Sequence, residues 1–160
     1  MGHSTMENLK ENGNVKIGFR KISDWFMNQT YNINQIDAVF DLLVSDSPYL
    51  KRKWDKYYDK EYKDNRERLL YFDMMAISAF VIKLFQKKKS KTLQSFFDKV
   101  EVILNNSDPE VKNLILAGLI EGIQQICPYK KIDMRYEFDT WLSPLTKTHW
   151  DTLTGFYKFD

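Results

Sequence analysis

Apolar positions along this chain recur mostly at three- and four-residue spacing, and that period predicts helices almost throughout. Ile22, Trp25, Phe26 and Gln29 place a first helix over Phe19–Asn28. Ile36, Val39, Phe40 and Leu43 place a second over Asn34–Val44, with Asn34 as its N-cap. Ser47-Pro48 is a start signal, a serine cap followed by proline in the first helical turn. The helix it opens carries Leu50, Trp54, Tyr57 and Tyr58 among many charges. From Asn65 to Gln86 the pattern changes, and Leu69–Phe85 is apolar nearly all round. A helix of that kind is the buried centre of a bundle, not a membrane span, because Asp73, Ser78 and Lys83 interrupt it and its flanks are charged. Asp73 therefore requires a buried partner.

Ser90 is the expected cap of a helix through Asn106, with Leu93, Phe96, Phe97, Val100 and Leu104 inward. Ser107-Asp108-Pro109-Glu110 has the form of a capping box, Ser107 with Glu110, opening a helix to Ile126. Gly118 and Gly122 on its apolar face each cost about 1 kcal/mol of helix propensity, so a close helix–helix approach is expected there. Cys127-Pro128 ends this helix, and a loop follows from Lys130 to Tyr136. A short helix is read over Tyr136–Leu142, and a last helix starts at Ser143-Pro144. The expected architecture is all-α: a single-domain irregular helical bundle of about seven to eight helices. The segments 90–106 and 109–126 are read as a HEAT-like antiparallel hairpin. The domain spans 17–160. Residues 1–16 are read as a flexible tail, in which Met1-Gly2-His3-Ser4-Thr5 ahead of Met6 has the look of a cloning scar.

Composition supports a folded domain of this size, with 43% apolar residues and only 6 glycines and 4 prolines in 160 residues. The single cysteine, Cys127, and the lack of an apolar leader-type stretch in the first residues point to a reducing, cytoplasmic setting. A net charge of +2 argues against a dedicated nucleic-acid binder. Two basic segments stand out nonetheless: Lys51–Arg68, interleaved with Tyr57, Tyr58 and Tyr62, and Lys87–Lys91. They form the weaker alternative, a nucleic-acid footprint.

Candidate chemistry is sparse. Two histidines and one cysteine make neither a metal set nor a nucleophile dyad of recognisable spacing, and no glycine-rich loop opens a helix. No cofactor and no enzymatic activity are expected. On a 100° wheel Glu110, Asn113, Ala117, Glu121 and Gln124 form one polar stripe. Asp133, Glu137 and Asp139 cluster near the C-terminal loop, and Trp141 stands out among the late aromatics. These polar residues with Trp141 are the candidate partner-binding residues.

The run Phe96-Phe97-Asp98-Lys99-Val100-Glu101 through Asn106-Ser107-Asp108-Pro109-Glu110-Val111-Lys112-Asn113-Leu114-Ile115, then Gly118-Leu119-Ile120-Glu121, carries a likeness. So do Trp141-Leu142-Ser143-Pro144 and Trp150-Asp151-Thr152-Leu153. This C-terminal part resembles small helical bacterial immunity proteins of polymorphic toxins, including contact-dependent growth inhibition systems, with Ser143 where those proteins have glycine. The resemblance implies a non-catalytic protein that binds one cognate toxin domain, a nuclease being one class of such toxin, and occludes its active site. A HEAT-like adaptor or regulator is the alternative.

Overall fold

The computed structural model describes residues 14–16 and 30–159; the helix expected over Phe19–Asn28 lies outside them. Asn14–Lys16 (β1), read from sequence as tail, pairs antiparallel with Thr30–Asn32 (β2), Val15 opposite Tyr31. Six helices follow: α1 (Ile33–Val44), α2 (Pro48–Tyr62), α3 (Leu70–Gln86), α4 (Ser90–Asn106), a long rod α5 and α6 (Pro144–Thr154). The rod α5 runs as Pro109–Asn113, then π-helical Leu114–Ile120, then Glu121–Ile126. The described residues are thus all-α apart from the tripeptide β pair.

The element boundaries differ from the sequence reading wherever a neighbour supplies a better partner. Asn32, not Asn34, caps α1, because the chain arrives extended from β2 and the Asn32 side chain reaches the Gln35 N–H at 3.1 Å. Ser47 caps α2 as expected, accepting from Leu50 N–H. Asn65 does not open α3: it is left-handed, with φ 55°, and α3 begins only at Leu70. At the far end of α3, Lys88 is also left-handed at φ 58°. Its N–H donates to the Phe85 carbonyl and that of Lys89 to the Leu84 carbonyl, a Schellman ending with lysine where glycine is usual. The chain leaves that turn already helical, so Ser90 is the first residue of α4, not its cap.

The capping box does not form. Ser107 is extended, Asp108 takes the cap position without a side-chain bond to the helix, and its carboxylate accepts from Gln35 Nε2 of α1 instead. Tyr136–Leu142 holds only a 3₁₀ turn, Asp139–Trp141. Ser143 likewise leaves the start of α6 uncapped, and Glu101 of α4 does the work. It accepts from Leu145 N–H at 3.1 Å, Thr146 N–H at 2.8 Å and the Thr146 hydroxyl at 2.6 Å. A carboxylate at a helix N-terminus also meets the positive end of the dipole.

The core centres on α3. Leu70, Met74, Ile77 and Val81 are wholly buried, and α3 packs most extensively against α5. The two glycines make that approach possible. A Cβ at Gly118 would lie 2.9 Å from Met74 Cβ, and one at Gly122 would lie 2.5 Å from Ser78 Oγ. A π stretch leaves carbonyls without their ordinary partners. Here Tyr71 donates to the Ala117 carbonyl at 2.5 Å and Ser78 to the Leu119 carbonyl at 2.9 Å, both from α3. Helix α4 packs on α1, α3 and α6. The C-terminal aromatics largely enter this core: Trp150 is buried beside Phe138 and donates its indole N–H to the Met134 carbonyl.

Two stability predictions follow from these contacts. Gly122→Ala displaces the Ser78 hydroxyl and lowers stability by about 1–3 kcal/mol in chemical denaturation, despite alanine's better helix propensity. An unchanged midpoint would contradict the close approach. Glu101 is opposed by desolvation, yet hydrogen bonds from Thr146 and Leu145 hold its carboxyl below the ordinary value of 4.5. The unfolded chain therefore takes up the proton first, and this stabilisation is present above pH 4.5 and lost as pH falls through the folded value. Glu101→Gln is expected to lose about 1–2 kcal/mol at neutral pH and to show a shallower acid limb, read from unfolding midpoints across pH.

Candidate functional site

The buried carboxylate of α3 organises one end of the molecule. Asp73 is fully buried and accepts from Tyr62 at 2.6 Å, Tyr57 at 3.0 Å and Arg68 Nε at 3.2 Å. Arg68 Nη1 reaches on to Asp37 of α1 at 2.6 Å, and the Tyr62 hydroxyl accepts from Leu69 N–H. Burial pushes the Asp73 carboxyl up, against the pull of Tyr62, Arg68 and Tyr57. The partner demanded by the sequence is thus an arginine and two tyrosines, drawn from α2 and the loop that follows it.

This network fixes the rotation of α2, and a wall of aromatic rings results. Phe40 stacks on Trp54 at 4.6 Å and 8°, Trp54 meets Tyr58 at 5.7 Å, and Tyr58 meets Tyr62 at 4.9 Å. The Arg68 guanidinium lies over Phe40, Tyr58 and Tyr62 at 5.1–5.7 Å. On the outer side of the wall, Asp37, Asp41, Asp55 and Asp59 rim a groove of about 260 Å3 between α1 and α2, floored by Phe40, Trp54 and Tyr58. Asp55 is tied to Lys51, exposed on both sides, and Asp37 to Arg68. Asp41 and Asp59 are exposed and pair with no cation among the described residues. An acidic rim over an aromatic floor is suited to a guanidinium or ammonium side chain. The sequence reading missed this site. Its trace was there as two acidic pairs four residues apart, 37/41 and 55/59, on consecutive helices.

The residues singled out from sequence fare differently. Gln124 is not on a surface stripe: it is fully buried, donating to the Trp150 carbonyl and the Thr154 hydroxyl. The reason is the π stretch, which turns the helix by less than 100° per residue and carries positions beyond Ile120 off the extrapolated wheel. Glu110 and Asn113 are half-buried. Glu121 is half-buried as well, and desolvation raises its carboxyl. Asp133 is bound by Arg135 at 2.9 Å, Glu137 accepts from Asp133 N–H, and Asp139 pairs with Lys147 at 3.2 Å. Trp141 is half-buried at the core's edge, 5.9 Å from Phe85 and Phe138. Cys127 is a buried thiol, pushed up to about 12 by burial and by Glu137 and Asp133. No group of His, Cys, Asp and Glu suited to a metal ion occurs among the described residues, and no helix among them is long and apolar enough to cross a membrane.

Residues 40–158 match the family model described as "Domain of unknown function (DUF7674)", and the chain belongs to that family. No curated protein and no solved structure matches it.

Removing Asp73 takes one of two carboxylate partners from the buried Arg68 and leaves the Tyr57 and Tyr62 hydroxyls without their acceptor. Asp73→Ala is expected to lose about 3–5 kcal/mol in urea denaturation, whereas Asp59→Ala on the groove rim stays within about 0.5 kcal/mol of the parent. Equal effects of the two would contradict the division between scaffold and rim.

Proposed function

We propose that this protein is an immunity-type binding protein, acting in the cytoplasm without catalysis, that neutralises a toxin domain by covering its basic active-site face. The aspartate-rimmed aromatic groove between α1 and α2 carries this reading. Its floor is rigid, since Phe40 and Trp54 are stacked and buried. Its chemistry suits arginine or lysine, because two of the floor rings, Phe40 and Tyr58, already hold the Arg68 guanidinium. A nuclease presents basic side chains to its substrate, and a pre-formed acidic face binds such a surface quickly and with little ordering cost. The likeness to immunity proteins in residues 96–153 supports the same reading. The exposed Glu137 and the Lys147-paired Asp139 are a second, more neutralised acidic contact. A HEAT-like adaptor is the competing reading, and it rests on the 90–106 and 109–126 hairpin. That pair favours it less, because α5 packs chiefly on α3.

The test is calorimetric titration with the toxin domain encoded by the adjacent gene. A nanomolar complex is expected, and the triple change Asp41→Lys, Asp55→Lys, Asp59→Lys weakens it by about 2–4 kcal/mol while the thermal midpoint stays within a few degrees. No complex, or a complex indifferent to the triple change, would sink the proposal.

A further inference from the structure

Helix α2 is a ridge between two grooves of opposite sign. On the side away from the aspartates, the two basic segments visible in the sequence converge around one ring, Tyr49. Lys87 Nζ, from the Schellman turn of α3, lies 5.0 Å from the ring centroid, and Lys53 Nζ lies 5.8 Å from it. Two depressions share Tyr49 and Lys53. One, of about 390 Å3, adds Arg52, Lys56 and Lys87; the other, of about 280 Å3, adds Phe80, Ile126, Lys83 and Lys130. Six exposed cations thus rim a floor of Tyr49, Phe80 and Ile126. No carboxylate lines either depression, and none of the six is ion-paired among the described residues. The small net charge of the chain conceals this, because acids and bases are sorted to different faces.

We infer that this second groove binds single-stranded nucleic acid. Clustered ammonium groups repel one another, and an anion lying among them removes that cost. A single strand supplies one negative charge and one flat apolar ring per nucleotide. That alternation matches cations along the rim and an aromatic and aliphatic floor, and it requires no base-specific hydrogen bonds. Lysine is well suited to phosphate as a point charge, and five of the six rim cations are lysines. Tyr129, largely exposed beside Lys130, gives the strand a second ring at the groove's end. The aspartate groove takes no part, so loss of toxin binding leaves this property intact.

The experiment is fluorescence anisotropy of the full chain with a fluorescein-labelled oligothymidylate of about 15 nucleotides, titrated at several salt concentrations. Micromolar binding is expected near 50 mM salt, with log affinity falling about twofold to threefold as steeply as log salt. Lys53→Glu with Lys87→Glu, both on exposed side chains, weakens binding at least about tenfold and flattens the salt slope. Lys112→Glu, at the opposite end of the rod α5 from Ile126, leaves both unchanged. Tyr49→Leu weakens binding about fivefold or more with the salt slope retained, as loss of stacking requires. Absence of binding at low salt, or no response to the double charge reversal, overturns the inference. So does equal displacement of the strand by polyglutamate of matched charge, which would make the groove a docking site for an acidic protein segment.

Discussion

Everything at the α1–α2 end of this molecule depends on a single buried carboxylate. Asp73 sits in the most apolar helix of the chain, where an ionised group is costly unless it is met from several sides. Tyr57, Tyr62 and Arg68 meet it, the tyrosines from the second half of α2 and the arginine from the loop behind it. Once they are committed, the rotation of α2 about its axis is set. The remaining charges then fall where they must, with Asp55 and Asp59 toward α1 and Arg52, Lys53 and Lys56 toward α3. Arg68 completes the arrangement by bridging to Asp37, so the buried network ties α1, α2 and α3 together.

The other end is held by geometry more than charge. Gly118 and Gly122 let the π-widened rod α5 sit against α3, and the carbonyls of Ala117 and Leu119 are taken up by Tyr71 and Ser78. The close approach and the π stretch support each other, because the glycines bring the hydroxyls of α3 within hydrogen-bonding reach of those two carbonyls. The last helix is then fastened from outside itself, by Glu101 at its start and Gln124 near its end.

Much of this was legible in the sequence. The helical period placed α2, α4 and the rod closely, Ser47-Pro48 marked a true start, the glycine pair signalled a close contact, and Asp73 announced that it needed a partner. The failures share a physical cause, namely partners distant in sequence. Ser107 and Glu110 satisfy a local capping pattern, but Asp108 is engaged by Gln35, 73 residues away. Ser143 has the right type for a cap and is replaced by Glu101. Gln124 was misplaced because a wheel assumes a constant turn per residue, which the π stretch breaks. The acidic groove escaped for the same reason, since it is assembled from separate helices, and of the basic groove the sequence showed the two charged segments but not their convergence with Lys83 and Lys130. The acidic residues near the C-terminus attracted attention because they are adjacent in sequence, yet Asp133 and Asp139 are already matched by Arg135 and Lys147.

Buried polar groups serve as ties in this chain, and exposed charges line two grooves of opposite sign, the basis of the proposed recognition. In the proposed complex the acidic groove meets the toxin domain. Amide hydrogen exchange of the free protein and of its complex with the adjacent gene's toxin domain tests this most directly. Slowed exchange is expected to concentrate in α1 and α2, around Asp41, Asp55 and Asp59. Protection confined to residues 109–154, with α1 and α2 unchanged, would contradict it.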